Sequence, residues 1–111
     1  MLERIPVDSS PQQQMTVQYE ATQLLLDVRY NTVGDHWELD VYDQTRDRQI
    51  CQGLALAVGV PMLWRAAVPY VFWLVDTSGA RLDPTGGQDL GSRCLLYIGD
   101  KDDMEKVLED L

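Results

Sequence analysis

The sequence predicts a mainly β domain, six or seven antiparallel strands in a small barrel or sandwich with a C-terminal α-helix. Three observations lead there. Between Leu24 and Tyr42 two runs alternate apolar and polar residues around a Gly-Asp turn, the pattern of a hairpin with one buried and one wet face. Tyr70–Asp76 is apolar on both faces, so both need cover. After Gly99 the periodicity becomes helical: Met104, Val107, Leu108 and Leu111 fall at i, i+3, i+4 and i+7.

Taken in order, Leu2–Val7 reads as a short strand with Ile5 and Val7 on one face, and Pro6 confines it to an edge or a lead-in position. Asp8–Gln14, polar and containing Pro11, reads as a loop. Met15, Val17 and Tyr19 then alternate with Thr16, Gln18 and Glu20 at strand period, and Ala21–Thr22 reads as a tight connection. Leu24, Leu26, Val28 and Tyr30 form the inner face of the next strand. Trp37, Leu39 and Val41 do the same for its partner across Thr32–Asp35. Outward-facing Arg29 falls opposite Glu38 or Asp40, a pairing worth roughly 0.2–1 kcal/mol. Asp43–Asp47 is turn-like. Arg48–Leu56 reads as a strand in which Gly53 marks a bulge or a close backbone approach.

The stretch Leu54–Val75 is the one the rest must accommodate. It holds 22 residues with Arg65 as its single charge, and about 20 apolar residues suffice to cross a bilayer as a helix. Arg65 near the middle would cost roughly 2.5–3.5 kcal/mol there, and Gly59, Pro61 and Pro69 interrupt the run. The stretch therefore divides into a strand end, an apolar loop or 3₁₀ turn over Val58–Ala67, and the strand Tyr70–Asp76. Thr77–Ser92 is a long loop rich in Gly with Pro84, and such loops are functional or disordered. Arg93–Gly99 is the last strand. Asp100–Leu111 is a helix N-capped by Asp100 or Asp102, acidic on its outer face. The organisation is a β domain over 1–99 and an acidic amphipathic helix over 100–111, in the same domain or docked on a neighbour.

A chain of 111 residues forms one domain, and a core of this composition needs no metal or disulfide. Net charge is −9, from 18 acidic and 9 basic residues, which leaves no basic stripe for nucleic-acid phosphates. MLERIPVDSSPQQQ has no apolar h-region, so no secretory signal is read. Cys51 and Cys94 lie in apolar strand-like runs without zinc-site spacing; they read as free buried thiols ahead of a disulfide joining strands. No cofactor is implied.

Catalytic signatures are missing: there is no nucleophile elbow, zinc helix, phosphate loop or dinucleotide fingerprint. His36, the single histidine, sits at a hairpin turn and reads as a surface residue. Asp76, Asp83 and Asp89 in Gly-rich chain suggest calcium, but their spacing matches no calcium loop, and Asp and Gly dominate turns for geometric reasons. Trp64-Arg65 stands out. These are residue types enriched at protein–protein hot spots, placed in an apolar loop that would be a liability if uncovered. A carbohydrate- or peptide-binding β module using the aromatics is the alternative function. A metal-dependent hydrolase using the loop aspartates is a third.

The order of motifs adds a resemblance. Tyr30-Asn31, Trp37-Glu38-Leu39-Asp40, GLALAVGVPML over Gly53–Leu63, Pro69-Tyr70, Val75–Gly79, Asp83-Pro84, Asp89-Leu90-Gly91 and the RCLLYI strand follow one another as in a known group. From about Leu2 to Ile98 the chain resembles the small baseplate plug proteins of tailed bacteriophages, in particular cyanophage-like contractile-tail plugs. The resemblance implies a structural virion protein at the tail tip, made in the bacterial host cytoplasm, with no catalytic residues; the charge balance and the interrupted apolar stretch already speak against specific nucleic-acid binding and a membrane span. It implies hub, spike and tube-initiator subunits as partners, and a homo-oligomer within the assembly. With the loop argument, it nominates Pro61, Met62, Leu63, Trp64, Arg65, Pro69, Asp83, Pro84 and Asp89 as contact residues. The helix after Gly99 lies outside the pattern.

Overall fold

Strict alternation along the central hairpin decides where the core lies. In the computed structural model, which describes residues 2–85 and 89–109, Leu24, Leu26, Val28, Trp37, Leu39 and Val41 all point inward and are buried. They belong to β3 (Thr22–Asn31) and β4 (His36–Asp43), paired so that Leu26 faces Val41, Val28 faces Leu39 and Tyr30 faces Trp37. The Tyr30 and Trp37 rings meet at 5.4 Å. On the wet face Arg29 reaches both expected partners, Glu38 at 3.3 Å and Asp40 at 2.7 Å.

Around this hairpin β2 (Gln12–Tyr19) and β5 (Arg48–Ala55) complete a four-stranded antiparallel meander, β2-β3-β4-β5. A second antiparallel sheet has the order β1 (Glu3–Ile5), β7 (Cys94–Asp100), β6 (Tyr70–Asp76). The two stack as a sandwich. Among the described residues no pairing joins strands of one sheet to strands of the other, so the barrel alternative is not realised.

Some boundaries differ from the sequence reading. β2 begins at Gln12, because Gln12–Gln14 pair in register with Arg29–Asp27 and the ladder overrides the polarity of the glutamine run. Only the segment before it is loop, tied down by the Gln13 amide, which donates to the carbonyls of Asp8 and Ser10. The tight turn is Glu20-Ala21 and not Ala21-Thr22: Tyr19 pairs with Thr22, and Glu20 takes a left-handed φ of 53°. Gly53 is the bulge. Its φ is +67°, its N–H donates to Asp40 Oδ1 at 2.7 Å, and the β4–β5 register shifts on either side of Val41. β5 ends at Ala55, one residue short of Leu56, whose N–H still donates to the Trp37 carbonyl of β4. Gly91 meets a stricter need: a Cβ there would lie 2.5 Å from the Val7 carbonyl oxygen.

β6 is covered on both faces. Tyr70, Phe72 and Leu74 enter the inter-sheet core with Ile5, Leu96 and Ile98. Val71 and Trp73 form an outer cluster with Met104 of α1 (Lys101–Glu109). Asp100 caps the helix, its Oδ1 accepting the Asp103 N–H at 2.7 Å. Asp110 and Leu111, assigned to the helix from periodicity, lie outside the described residues, as do Gly86 and Gly87 of the long loop. Both cysteines are free thiols, Cys94 buried and Cys51 half-buried, and burial raises the pKa of each. No described helix is long and apolar enough to cross a membrane.

Met104 is fully buried and anchors α1. Met104→Ala is expected to cost about 2 kcal/mol, the low end for a buried methionine because half-exposed Val107 and Leu108 can close over the gap. Chemical denaturation checks the value, and hydrogen exchange of 101–109 shows whether the helix detaches first.

Candidate docking surface

An exposed sheet edge carries unpaired N–H and C=O groups that invite foreign strands. β6 forms one edge of its sheet, and the connection from β5 covers it. Gly59 N–H donates to the Leu74 carbonyl at 3.2 Å, and Met62 and Phe72 exchange two hydrogen bonds at 2.9 and 3.0 Å. Leu56 N–H donates to the Trp37 carbonyl at 2.9 Å, so the same connection is held to both sheets. Pro61 fits here because this lacing asks no N–H of it.

After Met62 the chain leaves the edge in a turn over Leu63–Arg65, with Ala66 N–H donating to Leu63 O at 3.1 Å. Leu63 has a φ of 70°, a left-handed conformation that costs a non-glycine residue roughly 1–2 kcal/mol. Lys101 Nζ donates to the Ala66 carbonyl at 2.8 Å and so ties the turn to α1.

An open groove of about 580 Å³ runs along this segment. Leu54, Ala57, Val60, Pro61, Leu63 and Trp64 line it, and Arg65 is its single charged lining residue. Val60 is 49% exposed. A second hollow of about 420 Å³ is lined by Val58, Gly59, Trp73, Val75, Arg81 and Val107.

The nominated residues divide by burial. Arg65 and Pro69 are exposed; Pro61, Leu63 and Trp64 are half-buried. Met62 is buried in the core. Trp64 is less free than its loop position suggested, since it packs against the outer cluster beside α1. In the second loop Asp83 is exposed, Asp89 half-buried and Pro84 buried. The two loops meet: Val58 N–H donates to Asp83 Oδ1 at 2.8 Å.

The loop carboxylates are committed to holding the chain. Asp76 accepts the N–H and hydroxyl of Ser78 and the N–H of Leu82, at 2.7–3.0 Å. The Leu82 amide and then the Ser78 hydroxyl contribute most to holding its pKa down to about 2. Arg93, which the sequence reading did not single out, joins the loop to β7. Its guanidinium reaches Asp76 at 2.7 Å and Asp89 at 3.1 Å, and donates to the carbonyls of Leu82 and Asp83. That guanidinium is the main cause of the lowered Asp89 pKa. Among the described residues no group of three or more His, Cys, Asp or Glu side chains is placed to hold a metal ion. His36 pairs with Glu38 at 2.9 Å, and its hydrogen bond is the first cause of the lowered Glu38 pKa.

The arrangement can therefore bind by shape: an apolar groove with one guanidinium suits apolar side chains next to a carboxylate. A search of curated proteins found no match. Residues 2–101 match the family described as cyanophage baseplate Pam3 plug gp18, which leaves most of α1 beyond the matched region.

Proposed function

The chain belongs to the cyanophage baseplate plug family, and from that premise we propose that it closes the hub or tube of a phage tail baseplate by docking through the groove at Leu54–Ala66. The family's role is structural and not enzymatic, and it points to the virion tail baseplate and to other baseplate proteins as neighbours. The finer reading names hub, spike and tube-initiator subunits as those neighbours, has the plug homo-oligomeric in the assembly, and has it made in the host cytoplasm. The groove is the observation that carries it: apolar, open, and laced to the core at Met62 and Gly59. The acid loop joined to it through Val58–Asp83 extends the same surface. Net charge of −9 suits a component of a channel that must not retain DNA.

Arg65→Glu tests the reading. An exposed residue outside the core changes stability by about 0.5 kcal/mol or less, whereas loss of an interface hot spot costs about 2 kcal/mol or more. Tails assembled with Arg65→Glu are expected to contain at least about tenfold less of the protein at unchanged melting temperature. Normal incorporation would refute docking through this groove. Trp64→Ala is expected to fail in incorporation too, but with a lowered melting temperature, because Trp64 also packs in the outer cluster.

A further inference from the structure

We propose that the free edge of β2 pairs with β2 of a second copy, two antiparallel strands meeting about a two-fold axis at Thr16. Every other sheet edge among the described residues is blunted. β1 has three residues and runs into Pro6. β6 is laced by the Gly59–Met62 segment. β5 starts at Arg48, bulges at Gly53 and slips register against β4. β2 carries none of these devices. It has eight residues, QQQMTVQY, with no charge, no proline and an unbroken register against β3.

Backbone alternation fixes which groups are free. Gln23, opposite Gln18, directs its carbonyl to Gln44 N–H and its N–H to Thr45 Oγ1, away from β2. Pro11 O accepts the Tyr30 N–H, so odd-numbered positions bond to β3. Gln12, Gln14, Thr16 and Gln18 thus turn their N–H and C=O groups outward.

A second copy fits that edge by chemistry. With Thr16 opposite Thr16, outward Gln14 faces Gln18 and inward Met15 faces Val17, extending the apolar layer that both residues already flank half-buried. The nearest charge, Glu20, falls opposite Gln12. Two chains of net charge −9 thereby meet along a strand where no like charges oppose each other. The general repulsion weakens as salt is raised. The proposal deepens the homo-oligomeric part of the reading above and makes no use of the groove.

Sedimentation equilibrium on the purified full chain tests it. The wild type is expected to form a dimer that tightens with salt. Thr16→Lys and Thr16→Glu alone are each expected to weaken it at least about tenfold through like charges placed opposite each other, with melting of the dilute chain unchanged because Thr16 is exposed. Mixing the two variants is expected to restore association as a heterodimer. A wild type monomeric to its solubility limit, an assembly of another order, or Thr16→Lys dimers as tight as wild type would each overturn the proposal. Arg65→Glu should dimerise normally, so failure of groove docking and failure of edge pairing are read separately.

Discussion

Phe72→Ala is expected to cost about 3–5 kcal/mol, a large part of the 5–15 kcal/mol that holds a domain of this kind together. Three sets of contacts meet at this residue. Its side chain is fully buried between the sheets, edge-on to Tyr70 at 6.1 Å. Its strand position pairs with Ile98 of β7 on one side. On the other side its backbone exchanges hydrogen bonds with Met62. The backbone bonds survive the substitution, but a cavity opens in a layer whose neighbours, Leu74, Leu96 and Ile98, are already fully enclosed and cannot close over it. Phe72→Leu should cost less, about 1.5 kcal/mol, because most of the volume is kept. Urea unfolding with an unchanged slope is the measurement. A loss below about 1 kcal/mol for Phe72→Ala would mean that the inter-sheet layer is not close-packed. Trp73→Ala, on the opposite face, should fall between these values, since half-exposed Val75, Tyr97 and Leu108 can move toward the gap.

That contrast between faces explains what the sequence made legible. A buried face repeats every second residue, so Leu24–Val41 announced its inner side, and the doubly apolar Tyr70–Val75 announced a cover on each face. The helical spacing of Met104, Val107 and Leu108 supplied the second cover. Local patterns of this kind need no knowledge of partners. Gln12–Gln14 did need it: three glutamines have no inward face of their own and became strand only because Asp27–Arg29 offered a ladder.

The candidate surface was legible in the same partial way. An apolar run with two prolines and one arginine showed that something lay against Val58–Ala67. It did not show that the run's own strand, β6, takes part of it, so Met62 was nominated as a contact and lies in the core. Trp64, expected as a contact residue of the loop, is half-buried, because α1 brings Met104 and Leu108 to the same cluster. Arg93 read as the first residue of a strand. Its role depends on the β6–β7 register, which sets Asp76 opposite Cys94 and so puts the guanidinium beside the carboxylate. Register is non-local, and no spacing in the chain encodes it. The order of motifs carried the family where individual residues could not, and the family match covers residues 2–101.

Asp76→Asn should make the acid limb of stability shallower while lowering stability at neutral pH. The folded-state pKa of Asp76 is about 2, against an ordinary 3.8. A carboxylate held down in the native state adds stability that is fully present above about pH 4 and is lost as pH falls toward 2. Asparagine cannot take up that proton, so the variant should bind about one proton fewer on unfolding across this window. Its amide NH₂ would also face either the Ser78 N–H at the Oδ1 position or the Leu82 N–H and the Arg93 guanidinium at the Oδ2 position, donor against donor, and that loosens the 76–82 loop at pH 7. Denaturation midpoints taken at intervals from pH 7 to 2 give both quantities. Arg93→Met separates the causes. The Leu82 amide and the Ser78 hydroxyl outweigh the guanidinium at Asp76, whereas the guanidinium comes first at Asp89. Arg93→Met should therefore keep most of the Asp76 share of the acid slope and lose much of the Asp89 share. If Arg93→Met instead removes the Asp76 share, the ion pair and not the amide cradle holds that carboxylate ionised, and the loop is pinned from β7 and not from within.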